Sequence, residues 1–295
     1  MRWEGNRESD NVDDRRNEDG GGGGFRPGGI HLGLGGIVLL LIGSWVFHVN
    51  PLTLLSALSG NDSQSSDVSQ QQTGAASAPP ANDELVTFVK VILASTEDVW
   101  SSIFSSSGQT YQAPRLEIYR DEIQTGCGDG QSAMGPFYCA QDRKVYIDLG
   151  FYETLHSTLG SPGDSAQAYV IAHEVGHHIQ YLTGITAKVD ALRARENKVQ
   201  ANATSVRVEL QADCYAGVWA FHSQQQKHWF EDNDIELVLN AASHIGDDAL
   251  QKMGQGRVMP ETFTHGTSAQ RVGWFKRGLA NGRVEDCDTF GAATL

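Results

Sequence analysis

The sequence predicts an α+β fold, in which a small sheet is followed by a helical C-terminal part and one transmembrane helix precedes both. Two short segments rich in β-forming residues lie between residues 115 and 149. From residue 151 onward the apolar residues recur at helical spacing almost throughout. Residues 30–49 are long and apolar enough to cross a bilayer once. The folded domain is expected to cover residues 84–295.

The membrane prediction depends on residues 30–49, which contain no Asp, Glu, Lys or Arg. Five arginines precede this stretch and no Lys or Arg follows it until Lys90, so the positive-inside rule predicts a cytoplasmic N-terminus and a periplasmic domain. We expect an uncleaved single-pass anchor in the inner membrane, because the leading segment is long for a signal peptide. Residues 1–29 are predicted to be disordered and residues 50–83 to form a flexible linker.

Charge and cysteine content narrow the class of protein further. The formal net charge is −14, so a phosphate backbone would be repelled and nucleic acid is not an expected partner. The chain has four cysteines, an even number that fits two disulfides in an oxidising compartment. Four cysteines allow three pairings, and the sequence leaves the choice open.

The first part of the domain contains one predicted helix and two predicted strands. Apolar residues recur at helical spacing over residues 84–105. The β-forming segments are Arg115–Tyr119 and Lys144–Leu149. Cys127 and Cys139 lie between these segments, and a bond between them would staple the small sheet.

A second predicted helix covers residues 164–184. Asp164 followed by Gln167 fits a capping box, and Gly184 fits a helix stop. This helix contains the most specific motif of the chain.

That motif is HExxH, formed by His173, Glu174 and His177. Histidines four residues apart project from one face of a helix and can share one Zn²⁺. The carboxylate of Glu174 can then take a proton from a zinc-bound water. The metzincin extension is absent, because Gln180 and Thr183 occupy its Gly and His positions. A third ligand must therefore come from a later helix.

Glu209 and Asp213 lie four residues apart on such a helix. We assign Glu209 as the third metal ligand and Asp213 as the acceptor that orients a ligating histidine, although the two roles could be exchanged. The alternative is an ordinary solvated acidic face. Small residues beside this pair, such as Ala212 and Ala216, would let the helix approach the HExxH helix closely at Gly176.

His265 precedes the start of a C-terminal helix and is the candidate for stabilising a developing oxyanion. The alternative is a purely structural histidine. His178 points about 100° away from His177 on a helix, so we expect a polar contact there and no metal ligand. Arg271 is expected to pair with a carboxylate.

At these residues the sequence resembles the bacterial neutral zinc metallopeptidases, single-pass membrane proteins of the gluzincin type. The resemblance implies a zincin-like fold. It also implies that the Glu of the ExxxD pattern, here Glu209 with Asp213, is the third ligand. The segments that carry it are Met1–Trp3, Ser9–Val12, Gly135–Cys139, His173–Gln180, Glu209–Tyr215 and His265–Gly278.

The leading hypothesis is a membrane-anchored, zinc-dependent peptidase that hydrolyses exported polypeptides, with Glu174 as general base. Residues 144–149 are expected to line the cleft and pair with extended substrate backbone. One alternative is a zinc-stabilised, non-catalytic scaffold of the cell envelope. Another is an amidase that acts on cell-wall peptides. The expected partners are a polypeptide substrate and the membrane.

Overall fold

The computed structural model describes residues 1–16, 83–131, 135–152 and 163–295. The predicted transmembrane helix at residues 30–49 and the predicted linker up to residue 82 lie outside the described residues. Within the described ranges, no helix combines the length and apolar character needed to cross a membrane.

The described residues confirm the mixed α+β class, with small sheets early and helices late. The strands are β1 (Val12–Asp14), β2 (Arg115–Tyr119), β3 (Glu122–Thr125), β4 (Gly128–Gln131), β5 (Phe137–Cys139) and β6 (Lys144–Asp148). The α-helices are α1 (Glu84–Ser106), α2 (Asp164–Leu182), α3 (Ile185–Arg193), α4 (Lys198–Lys227), α5 (Asp234–His244), α6 (Asp247–Gln255) and α7 (Ser268–Asn281). Short 3₁₀ turns cover Pro260–Thr262 and Val284–Cys287.

The main sheet has the strand order β1-β2-β6-β5. Strands β1, β2 and β6 are parallel, β5 is antiparallel to β6, and β3 with β4 forms a separate hairpin. The two predicted strands are confirmed. The expectation that residues 144–149 pair with substrate is wrong for Lys144–Tyr146, because those residues are paired with β2 on one side and β5 on the other. Within the described residues, β5 lies at the edge of the sheet.

The start of the chain departs from the sequence prediction. Residues 1–29 were predicted to be disordered, but residues 1–16 belong to the same compact unit as the domain. Trp3 is 6% exposed, and β1 adds a strand to the main sheet. Polar composition is misleading here because the charged side chains of this segment pair with the domain, as Arg7 does with Glu97. The predicted domain boundary at residue 84 therefore omits part of the fold.

Helix α1 confirms the prediction for residues 84–105. Its first turn is capped by Asp83, whose side chain accepts hydrogen bonds from the backbone N–H groups of Leu85 and Val86. The buried side of α1 packs against α2 and α4, and it includes Phe88, Val89, Ile92, Leu93, Val99 and Trp100.

Helix α2 begins differently from the prediction. Its N-cap is Gly163, which makes no side-chain cap, so the predicted capping box of Asp164 and Gln167 is wrong. Asp164 is the first helical residue, and its carboxylate accepts a hydrogen bond from the indole of Trp3 instead. The predicted stop is confirmed, because α2 ends at Leu182 and Gly184 has a φ of 76°.

Helix α2 crosses α4 at Gly176, as the pattern of small residues predicted. A Cβ atom on Gly176 would lie 3.0 Å from the Ala212 carbonyl oxygen and 3.1 Å from the Ala212 Cα. Any larger residue would push the two helices apart. The two backbones therefore approach closely beside the HExxH motif.

Two disulfides are present, as expected. Cys127 bonds Cys139 and joins the end of the β3–β4 hairpin to β5. Cys214 bonds Cys287 and ties the middle of α4 to the 3₁₀ turn after α7. The second bond fixes a segment that is 73 residues away in sequence against the helix that carries Glu209.

Candidate metal centre

Three side chains from two helices converge at the crossing of α2 and α4. His173 and His177 project from α2 and Glu209 from α4, with one ligand atom of each within 4.8 Å of the others. The Glu209 Oε2 atom lies 3.2 Å from His173 Nε2 and 3.7 Å from His177 Nε2. Ligands at about 2.1 Å from a tetrahedral Zn²⁺ are about 3.4 Å apart, so the donor set and the two separations from Glu209 fit zinc.

His173 is held by a buried ionic network. Its Nδ1–H donates to Asp213 Oδ1 over 2.8 Å, which turns Nε2 toward Glu209. Asp213 is fully buried and accepts further hydrogen bonds from Arg271 Nε at 2.8 Å and Nη2 at 2.9 Å. The hydroxyl of Tyr169 donates to the same carboxylate. Burial alone would raise the pKa of Asp213, but Arg271 and His173 outweigh it and hold the pKa well below its usual range.

His177 is held by neutral amides. Its Nδ1–H donates to Gln180 Oε1 over 2.9 Å. Gln180 Nε2 donates to Gln211 Oε1 at 3.1 Å, and Gln211 Nε2 donates to the Cys287 carbonyl oxygen at 2.9 Å. Sequence reasoning missed Gln180 and Gln211 as orienting residues. The three-residue spacing between His177 and Gln180 on one helix face was the available signal.

Glu174 lies beside the two histidines and is 7% exposed. Burial raises the pKa of its carboxyl, while the charges of His177 and His173 act in the opposite direction. Its carboxylate is therefore a stronger proton acceptor than one in water.

The charges of the three candidate ligands and of Asp213 shift one another's pKa values. Burial raises the pKa of Glu209, but the two histidines outweigh it and hold the pKa well below its usual range. Burial lowers the pKa of His173, yet Asp213 outweighs burial and raises the pKa to about 10. A ligating imidazole is neutral, so a metal at this position would displace the proton from Nε2 of His173.

His265 lies on the loop before α7, next to the metal centre. Its Nδ1–H donates to Asp247 Oδ1 over 3.2 Å, and its side chain is half-exposed. The adjacent Gly266 has a φ of 91°, and a Cβ atom there would lie 3.2 Å from Val206 and 3.3 Å from Leu210. The loop therefore lies against the turn of α4 that carries Glu209.

Asp247 organises that loop and was missed by sequence reasoning. Its Oδ2 accepts hydrogen bonds from the backbone N–H groups of Thr264 at 2.7 Å, His265 at 2.6 Å and Gly266 at 3.0 Å. The hydrogen bond from His265 to Asp247 raises the pKa of His265 above its usual value, burial opposes this, and the charge of Glu209 adds to it. No local spacing connects Asp247 to His265, because they lie 18 residues apart.

His178 makes polar contacts away from the three ligands. Its Nε2–H donates to the Gln112 carbonyl oxygen over 2.6 Å, and its Nδ1 accepts from the Tyr138 hydroxyl over 2.9 Å. Burial lowers the pKa of His178 to about 4, so the ring is neutral. This histidine therefore ties β5, through Tyr138, to the helix that carries His177.

Two histidines four residues apart on one helix, with a carboxylate from a second helix, form the kind of ligand set that catalytic zinc sites use. The chain belongs to the family described as "Putative neutral zinc metallopeptidase", which matches residues 1–290. It is 52% identical over 295 residues to "Uncharacterized protein YpfJ" of Escherichia coli K12, covering 99% of each chain. It is 39% identical over 239 residues to "Uncharacterized protein Rv2575" of Mycobacterium tuberculosis H37Rv, covering 78% of this chain and 77% of that one. No solved structure matches the chain.

Proposed function

We propose that the chain is a zinc-dependent endopeptidase of the gluzincin type that hydrolyses exported polypeptides. The observation that carries the proposal is the convergence of His173, His177 and Glu209 beside the buried carboxylate of Glu174. A structural zinc site is closed by four protein ligands, whereas a catalytic site keeps one position for water or substrate. The three ligands found among the described residues fit the catalytic kind.

Zinc, when bound, supplies a Lewis acid that polarises the scissile carbonyl. Glu174 takes the proton from the attacking water, and its raised pKa suits this task. The same carboxyl then returns the proton to the leaving amine. His173 and His177 keep their Nε2 atoms directed at Glu209, because their Nδ1–H groups are held by Asp213 and Gln180.

His265 is proposed to donate a hydrogen bond to the developing oxyanion. Asp247 fixes the ring through Nδ1, which leaves Nε2–H available to substrate. The raised pKa of His265 keeps the protonated donor to higher pH than in a free imidazole.

Strand β5 replaces residues 144–149 as the proposed substrate-binding strand. Tyr138 on β5 is fixed to α2 through His178, one residue after His177. The edge of β5 can therefore pair with an extended peptide close to the metal centre.

Export is supported by the two disulfides, Cys127–Cys139 and Cys214–Cys287, because such bonds persist in oxidising compartments and are rare in the cytosol. The second disulfide is linked to the site through two amides, because the Cys287 carbonyl accepts from Gln211, which accepts from Gln180 beside His177.

The test uses the full chain, with zinc content and cleavage of an unbiased peptide library measured together. Wild type should bind one zinc and cleave. Glu174→Gln should keep the zinc and lose about 10²–10⁴-fold in kcat/KM, the usual contribution of a general base. Glu209→Ala should lose the zinc.

The outcomes separate the alternatives. Zinc binding without cleavage of any peptide would contradict the peptidase and favour the scaffold. Cleavage of cell-wall peptides but no polypeptide would favour the amidase. A chain that binds no zinc would overturn the metal centre.

A further inference from the structure

The amino-terminal segment, residues 1–16, contains two motifs that the proposed reaction does not use. They are Met1–Trp3 and Ser9–Val12. Each places a side chain inside the fold, since Trp3 is 6% exposed and Ser9 is 1% exposed. Both motifs therefore contact the interior of the domain.

Trp3 contacts the active-site helix directly. Its Nε1–H donates to Asp164 Oδ2 over 2.7 Å, and Asp164 is the first residue of α2. The indole packs edge-on against Phe88 of α1, with ring centroids 5.3 Å apart. One residue of the amino-terminal segment thus joins α1 to the helix that carries the HExxH motif.

Glu97 of α1 depends on the same segment. This carboxylate is 8% exposed and accepts hydrogen bonds from Ser9 Oγ at 2.6 Å, Asn11 Nδ2 at 2.8 Å and Arg7 Nη2 at 2.9 Å. All three donors come from residues 1–16. Without them a buried charge would lose its partners, which is among the most costly defects a fold can carry.

The backbone of the segment is also part of the sheet. Residues 12–14 pair in parallel with residues 116–118 of β2. Outside that register, Ser9 N–H donates to the Lys90 carbonyl oxygen at 3.0 Å. Arg16, the last described residue of the segment, pairs at 2.7 Å with Asp83, which caps α1. Both ends of the segment are therefore fixed to the domain.

We propose that residues 1–16 stay within the same folded unit in the cell and lie on the same side of any membrane as residues 83–295. The reason is connectivity. A chain that crosses a bilayer once has its two flanks on opposite faces, whereas flanks that share one sheet and one core lie on the same face. A single membrane crossing between these two described segments is therefore incompatible with this fold.

The same contacts account for the arginines that predicted a cytoplasmic N-terminus. Four of the five arginines before residue 30 pair with carboxylates in the folded unit, three of them with residues beyond position 83. Their role in the fold removes the basis for counting them as a topology signal. The pairs are Arg2–Glu231, Arg7–Glu97, Arg15–Glu117 and Arg16–Asp14.

Thiol labelling of the full chain in cells tests the proposal. All four native cysteines are in disulfides, so an added cysteine is the free thiol of its variant. Glu4→Cys reports on the amino-terminal segment and Gln226→Cys on the end of α4, and both positions are exposed. Each variant is treated with a membrane-impermeant maleimide, in intact and in permeabilised spheroplasts.

The expected result is that the two thiols respond alike, both labelled before permeabilisation or both only after it. Opposite responses would overturn the proposal and restore the single crossing. Wild type, treated in the same way, measures any labelling of the native cysteines, which is subtracted from that of the two variants. The readout needs neither zinc nor cleavage, so it is independent of the proposed peptidase activity.

Discussion

The two histidines of the metal centre are held in different ways. His173 donates to a buried carboxylate, Asp213, which is in turn paired with the buried guanidinium of Arg271. His177 donates to the neutral amide of Gln180, which is backed by Gln211. Both arrangements fix the same tautomer and direct Nε2 toward the metal position. One half of the site is ionic and the other half is not.

This difference predicts unequal tolerance to substitution. Removing one partner of a buried ion pair leaves an uncompensated charge and costs about 3–5 kcal/mol. Removing a neutral hydrogen bond leaves an unpaired amide and costs about 1–3 kcal/mol. Any single substitution among the groups that anchor His173 should therefore be strongly destabilising. Substitutions among the amides that anchor His177 should each cost less.

The largest effect is expected for Arg271→Met. This change removes the cation that holds the pKa of Asp213 down and leaves that carboxylate buried. We expect a loss of about 3–5 kcal/mol in the free energy of unfolding, measured by urea denaturation at pH 7. The stabilisation from the lowered pKa of Asp213 is present above the unfolded pKa of about 3.9 and is lost as pH falls through the folded value.

Lys276→Met is the matched control, because Lys276 is exposed on the same helix. It should change the unfolding free energy by less than about 0.5 kcal/mol. If Arg271→Met lowered the free energy of unfolding as little as the control, the ionic network around His173 would not be more sensitive than the neutral amides around His177.

The neutral half is tested by Gln180→Met, which removes the acceptor from His177 Nδ1 while filling a similar volume. Zinc affinity should fall about 10- to 100-fold, as is usual when a group that orients a ligand is lost. Competition with a chromophoric chelator measures it. Gln211→Met keeps the acceptor of His177 and should cost less affinity. Equal losses in the two variants would contradict a stepwise chain of amides.

The sequence revealed those site residues that share a local spacing, and it missed those that are brought together only by packing. His173, Glu174 and His177 follow from a four-residue repeat on one helix, and Glu209 from a second such repeat, so local spacing is enough to find them. The helix crossing at Gly176 was predictable from small residues. Asp247 could not be found this way, because its contact with His265 is created by the packing of separate elements.

The elements of the fold also differ in whether their sequence signal is local. Helix α1 and strands β2 and β6 were predicted from periodicity within each segment. The amino-terminal segment was missed because its signal is not local. Glu97 receives donors that are 86 to 90 residues away in sequence, and composition alone describes such donors as a polar tail.

The pair formed by His265 and Asp247 is a third case, in which the histidine side chain is half-exposed. Asp247→Asn removes the negative charge and weakens the hydrogen bond that is the largest cause of the raised pKa of His265, so that pKa should fall. A protonated donor is active below its pKa and is lost as pH rises through it. The alkaline limb of kcat/KM should therefore move to lower pH in Asp247→Asn, measured as a pH–rate profile.

Two results complete that test. In a His265→Gln background, Asp247→Asn should shift the profile no further, because the titrating group is gone. An alkaline limb that stays in place in the single variant would assign the limb to another group and reduce His265 to a structural residue.

The smallest effect is expected for Trp3→Phe, which keeps an aromatic ring against Phe88 but removes the hydrogen bond to Asp164. We expect a loss of about 1 kcal/mol in unfolding free energy. Trp3→Ala, which also empties a buried site, should cost about 3–5 kcal/mol. The two variants together separate the polar contact from the packing. If both variants were neutral, the contact between Trp3 and the start of α2 would not contribute to the stability of the fold.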